Sequence, residues 1–205
     1  MVQAIGMCYQ KRIHATTKRD SIPTDKARPM RIFPVLLTLL GFAHPVGAQI
    51  VSSDLNGDGR PERFSLIDAN GTADLQIENT GGGVLIAENI VWVGGMSGQK
   101  PELDAAANGS ILVTSMNEAI GRDRWRLTLT IAHRQGGYMV VGYTYSWYDT
   151  LDPENNGTCD LNLLTGRGFL TQTDRPAISV NTKLRAMPVT SFKDDHPIPE
   201  VCGSN

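Results

Sequence analysis

From residue 62 onward, apolar and polar positions alternate with a period of two, in runs broken by Gly, Asn and Asp. The pattern predicts strands over Glu62–Asp68, Thr72–Glu78, Val84–Val93, Leu103–Ala107 and Ser110–Ser115. Ala69-Asn70-Gly71, Gly81-Gly82-Gly83, Gly94-Gly95 and Asn108-Gly109 separate them. Asn-Gly between apolar runs is a hairpin signal, because both turn positions tolerate positive φ. The clearest hairpin is central. Trp125, Leu127, Leu129 and Ile131 share one face of Arg124–Ala132, Gly136-Gly137 closes the turn, and Tyr138–Tyr148 returns. The return face bearing Met139, Val141, Tyr143, Tyr145 and Trp147 is assigned to the core. Such an aromatic face also suits a carbohydrate platform, but packing is its commoner role. Asp160–Leu164 and Phe169–Gln172 flank the turn Thr165-Gly166-Arg167-Gly168, and Ile178–Leu184 reads as one more strand. Met116–Arg122 is the one candidate for a short helix. The fold class is therefore all-β, mainly an antiparallel meander, sandwich or partial-propeller-like sheet.

The N-terminal region breaks this pattern. Met30 to Gln49 reads MRIFPVLLTLLGFAHPVGAQ, with a basic Arg31, an apolar Ile32–Ala43 stretch and a small-residue Val46-Gly47-Ala48 site. This is the layout of a secretory signal peptide cut after Ala48. Its apolar stretch is about 12 residues, against the roughly 20 that span a bilayer. Residues 1–29 are polar and basic and precede the signal, so they read as an extension from an upstream start, with Met30 the alternative to Met1. The expected organisation is 1–29 extension, 30–48 signal and 49–205 one β domain, placed in the periplasm or secreted, without a membrane span once the signal is removed.

Charge sharpens the division. Residues 1–48 hold seven basic and two acidic residues, whereas 49–205 hold twelve basic and nineteen acidic, a net charge of −7. That balance disfavours nucleic acid as a partner and leaves an envelope or extracellular ligand as the expectation. Cys159 and Cys202 are the two cysteines after residue 48, and in an oxidising compartment they are expected to pair. Closing a loop of about 44 residues removes roughly 4 kcal/mol of unfolded-state entropy. The bond would tie the tail containing Pro188, Pro197 and Pro199 to the body.

One segment carries coordination chemistry. Asp54-Leu55-Asn56-Gly57-Asp58-Gly59-Arg60-Pro61-Glu62 fits D-x-N-x-D-G-x-x-[DE]. Asp54, Asn56 and Asp58 place side-chain oxygens at positions 1, 3 and 5, and Gly59 permits the sharp turn. Arg60 would give its carbonyl, and Glu62 would ligate directly or through water. Six to eight oxygens at about 2.3–2.6 Å suit Ca²⁺, whereas Mg²⁺ demands stricter octahedral geometry. An EF-hand does not fit, because position 12 is Ser65, position 8 is Pro61 and the continuation reads as a strand. Without a metal, the same residues would form an Asx-rich turn.

Asp54–Ile67 resembles the FG-GAP or VCBS-type repeat of exported bacterial proteins, in which D-x-[ND]-x-D-G-x-x-D precedes a strand. Asp54, Asn56, Asp58 and Gly59 match, and Glu62 replaces the usual Asp. The resemblance implies calcium-stabilised β structure, often in adhesive or ligand-binding propellers. One copy does not make a propeller.

Catalytic patterns are weak. His133 and His196 have no patterned partner. Ser97-Gly98-Gln99-Lys100 with Ser115-Met116-Asn117 imitates a serine acyl-transferase set, but lacks the helix and the K-T-G element. Asn70-Gly71-Thr72, Asn108-Gly109-Ser110 and Asn156-Gly157-Thr158 match the glycosylation sequon and read instead as turns. Asp149, Asp152, Glu154, Asn155, Asn156 and Asp160 form a second acidic stretch, read as a solvated loop with a second cation as the rival. The expectation is a calcium-binding β domain with a recognition or structural role and no catalysis. The alternatives are a hydrolase of polysaccharide or cell-wall polymers and an envelope protein inhibitor.

Overall fold

The computed structural model describes residues 49–203; the expected extension and signal peptide lie outside them. Twelve strands follow one another: β1 Ile50–Ser53, β2 Glu62–Asp68, β3 Thr72–Glu78, β4 Val84–Trp92, β5 Glu102–Ala105, β6 Ile111–Asn117, β7 Asp123–Arg134, β8 Gly137–Asp149, β9 Asn156–Asn162, β10 Arg167–Gln172, β11 Arg175–Asn181 and β12 Met187–Pro188. Two single-turn 3₁₀ segments, Ser97–Gln99 and Val189–Ser191, are the helical pieces among the described residues. Both sheets are antiparallel meanders. The first has the order β1-β2-β3-β4, and the second runs β11-β10-β9-β8-β7-β6-β5 with β12 added beside β8. The all-β, antiparallel expectation is borne out.

The period-two pattern explains the packing. In β3, Ala73, Leu75 and Ile77 are buried in strict alternation with partly exposed neighbours. They share one hydrophobic cluster with Phe64 and Ile90 of their own sheet and with Ile111, Leu129, Ile131 and Tyr143 of the other. The two sheets thus pack face to face in the manner of a sandwich. Cys159 and Cys202 are bonded, with S–S 2.03 Å and Cα–Cα 5.2 Å, and both lie in this cluster.

Several local expectations are corrected. The central hairpin turns on Gln135 and Gly136, both at positive φ, and Gly137 already belongs to β8. Thr130 pairs with Gly142 but Ile131 pairs with Val140, so Val141 is an extra residue on β8. This β-bulge reverses the facing of everything before it. The core therefore takes Tyr138 and Val140 on one side of the bulge and Tyr143 on the other, rather than Met139. Met116–Arg122 is no helix: Met116 and Asn117 end β6, and Asn117 Nδ2 donates to the Ile120 carbonyl in the following turn. Asn156-Gly157 lies within β9 rather than in a turn. Ile50–Ser53, left unassigned by pattern, pairs with β2.

Candidate metal centre

The acidic segment is the connection of the β1–β2 hairpin. Ser53 pairs with Glu62, so residues 54–61 form the loop between two bonded strands rather than a lead into the first one. Inside it, alternate side chains accept from the backbone ahead of them. Asp54 Oδ1 accepts from the Gly57 N–H at 3.0 Å, and its Oδ2 accepts from Gly59 at 2.9 Å. Asn56 Oδ1 accepts from Asp58 N–H and Asp58 Oδ1 from Arg60 N–H, each at 2.8 Å. Asn56 and Asp58 thus form Asx turns, while Asp54 accepts from N–H groups three and five residues on, which curls the chain around it. The curl requires left-handed backbone at Gly57 (φ 76°) and Gly59 (φ 81°), where a side chain would be strained.

Asp54, Asn56 and Asp58 are thus brought into one loop, with Asn56 Nδ2 donating to Asp58 Oδ2 at 3.3 Å. The other two expected ligands have hydrogen-bond partners of their own. The Arg60 carbonyl lies 3.4 Å from Thr80 Oγ1. Glu62 is fully buried on the inward face of β2, beside Phe64. Its Oε2 accepts from the Leu55 N–H at 2.7 Å and its Oε1 from the Tyr138 hydroxyl at 3.0 Å. Among the described residues, no three His, Cys, Asp or Glu side chains are arranged to hold a metal. A cation here would have the Asn56 amide oxygen beside the Asp54 and Asp58 carboxylates and would need further oxygens to complete the six to eight that calcium takes.

Glu62 joins the loop to both sheets. Tyr138, near the turn end of β8, stands edge-on to Phe64 at 6.3 Å and to His133 at 5.3 Å. Its hydroxyl also lies 2.6 Å from Asn79 Oδ1. A phenol has one proton, and the buried carboxylate is the stronger acceptor for it. Burial, with the hydrogen bond and charge of Glu62 and the charge of Asp58, pushes Tyr138 up to about 12, against a smaller opposing effect of Asn56. The loop is also fastened to the β5–β6 turn, because Ser53 Oγ donates to the Gly109 carbonyl at 2.7 Å. Tyr138 and Asn79 were not legible as site residues; a partner 76 positions away leaves no local signal.

The remaining candidates are not assembled. Lys100 Nζ donates to the Gly94 carbonyl and Ser115 Oγ to the Trp92 carbonyl, so neither serves as partner to the exposed Ser97. Instead, Gln99 Nε2 donates to Asn117 Oδ1 and holds the 3₁₀ turn against β6. His133 packs on Tyr138, and His196 stacks on Phe192 at 5.1 Å. The second acidic stretch is dispersed. Asp149 is buried against Arg122 and accepts from the Leu151 N–H, whereas Asp160 accepts from Thr144 Oγ1. Burial raises the Asp149 carboxyl, but the Leu151 hydrogen bond and Arg122 outweigh it and leave the group below its ordinary range. No family model matches the chain, and no curated protein or solved structure matches it significantly.

Proposed function

We propose that the chain is an exported, calcium-binding β domain with a recognition or structural role rather than a catalytic one. The observation that carries this reading is the ordered curl of Asp54, Asn56 and Asp58 over left-handed Gly57 and Gly59. Calcium would add a positive centre to clustered carboxylates and tighten the hairpin that Glu62 anchors in the core. The likeness of Asp54–Glu62 to FG-GAP and VCBS-type loops agrees with this. Export is supported by the signal-like Met30–Ala48 segment and by a disulfide, which persists in oxidising compartments.

The test is thermal unfolding of the EDTA-treated chain against calcium. With affinity in the range of extracellular modules, about 10⁻⁴–10⁻³ M, calcium at about 10 mM raises the midpoint by roughly 3–10 °C. Asp58→Ala abolishes the rise. Identical melts in EDTA and in calcium would sink the proposal.

A further inference from the structure

At the end of β7 and β8 away from their hairpin turn, aromatic side chains on the inward face of the second sheet are only partly covered. There the cross-strand pair Trp125 and Trp147 is joined by Tyr145, which stacks on Trp147 at 5.9 Å and 21°. Trp125 meets Trp92 at 5.6 Å, and the Trp147 ring lies over Gly157 so closely that a Cβ there would sit 2.5 Å from it. All three aromatics remain only partly buried. Opposite them runs the C-terminal segment, fixed by the Cys159–Cys202 disulfide, whose Ile198 and Val201 form the far wall. The resulting cleft has a volume of about 460 Å³, within the usual range of small-molecule sites.

The polar groups of this cleft narrow the ligand. Arg124 lines it, and its Nη1 is sealed from solvent with no hydrogen-bond partner among the described residues. An orphaned donor is a standing cost that an incoming oxygen removes once the guanidinium turns to meet it. Asp123 also lines the cleft, is exposed and forms no ion pair among the described residues. Asp149 is already neutralised by Arg122. The charges around the opening therefore cancel, and an anion or a cation gains no net attraction. Asp123 can accept from one ligand hydroxyl and Arg124, which leaves β7 on the other side of the strand, can donate to another at the cleft's edge, while ring faces take the C–H surface of a pyranose. A larger depression of about 850 Å³ on the opposite face of the sheet lacks this aromatic floor, and its Asp160 and Asn162 are engaged by Thr144 and by the Thr165 N–H.

We infer that the Trp125–Trp147 cleft binds a short segment of a neutral oligosaccharide. This deepens the recognition role proposed above without depending on calcium. Tyr138, which bonds Glu62 at the base of the loop, and Trp147 are about 26 Å apart along β8 at roughly 3.3 Å per residue, the bulge at Val141 allowed for.

The experiment uses the full chain with neutral β-linked glucan, mannan and N-acetylglucosamine hexasaccharides, read by tryptophan fluorescence and saturation-transfer NMR. Each titration is run in EDTA and again in calcium. At least one hexasaccharide binds with a dissociation constant between about 10 μM and 1 mM, equally in both buffers. Trp147→Ala and Arg124→Gln each weaken it by about tenfold or more. Arg124→Gln retains the parental melting point and decides alone if Trp147→Ala does not fold. The inference is overturned if no neutral saccharide binds at about 10 mM, if Arg124→Gln binds like the parent, or if an oligogalacturonate binds more tightly. It is also overturned if the cleft joins two copies of the chain, seen as a doubled mass that Trp147→Ala abolishes. Failure of the calcium melt alone leaves saccharide binding intact, so the two readings fail separately.

Discussion

Replacing Tyr138 by Phe removes one hydroxyl and tests whether the Glu62 carboxylate is held from the second sheet. The ring keeps its edge-on contacts with Phe64 at 6.3 Å and His133 at 5.3 Å, so the apolar contribution is nearly unchanged. What is lost is the 3.0 Å bond to Oε1 of a fully buried carboxylate, leaving Glu62 only the Leu55 N–H on Oε2. Hydrogen bonds to charged groups contribute about 1.5–3 kcal/mol, and a buried oxygen left without a donor places the loss in that range. For a domain of roughly 150–250 residues this lowers the melting point by about 3–12 °C. Urea denaturation at neutral pH in EDTA measures the loss without any contribution from calcium. A double-mutant cycle with Glu62→Gln then isolates the pair, with a coupling of about 1–2 kcal/mol. Tyr138→Phe within about 0.5 kcal/mol of the parent, or a coupling near zero, would refute the idea that this bond ties the loop to the core.

Alkaline pH acts on the same residue. The folded chain holds Tyr138 neutral up to about 12, whereas in the unfolded chain it ionises at its ordinary value of 10.0, so its contribution is complete below pH 10 and is lost as pH rises toward 12. Denaturation curves across that window fall more steeply for the parent than for Tyr138→Phe; Tyr143 and Tyr145, also raised by burial, contribute equally to both chains. Exchanging both Cys159 and Cys202 for Ala opens a loop with a sequence separation of 43, which costs about 4 kcal/mol and about 8–16 °C of melting temperature. A drop below about 1 kcal/mol in urea denaturation would show that the tail stays docked through Val201 and Ile198 without the bond.

Much of the architecture was legible because both sheets are meanders. Within each sheet consecutive strands pair, β12 excepted, so turn residues and period-two runs determine neighbours as well as strands. Trp125, Leu127, Leu129 and Ile131 gave the inward face of β7 directly. The matching assignment on β8 failed before Gly142, because Val140 and Val141 are both apolar and both buried. Two adjacent valines fit either facing, and the bulge that decides between them is a property of the pairing with β7, not of β8 alone. Asn156-Gly157 misled for a related reason. The glycine belongs to a strand because Trp147 occupies the place of its side chain, a tertiary demand with no signature in the dipeptide.

The candidate site divides along the same line. Asp54, Asn56, Asp58 and Gly59 are spaced for a local turn, and the local turn forms. Glu62 was read as the last member of that turn, but β2 places it at an inward position in register with Phe64 and Leu66. At Glu62 an acid stands where the alternation calls for an apolar residue, so pattern and chemistry conflict there. The conflict is resolved by Leu55 from the loop and Tyr138 from the other sheet, each supplying one donor. A hairpin loop fastened only by its own Asx turns could rearrange around an ion without effect elsewhere. Because Glu62 lies at its base and bonds across the core, any tightening of residues 54–61 is felt by a buried group shared between both sheets. That makes global unfolding, rather than local loop order, the proper readout for calcium in this chain.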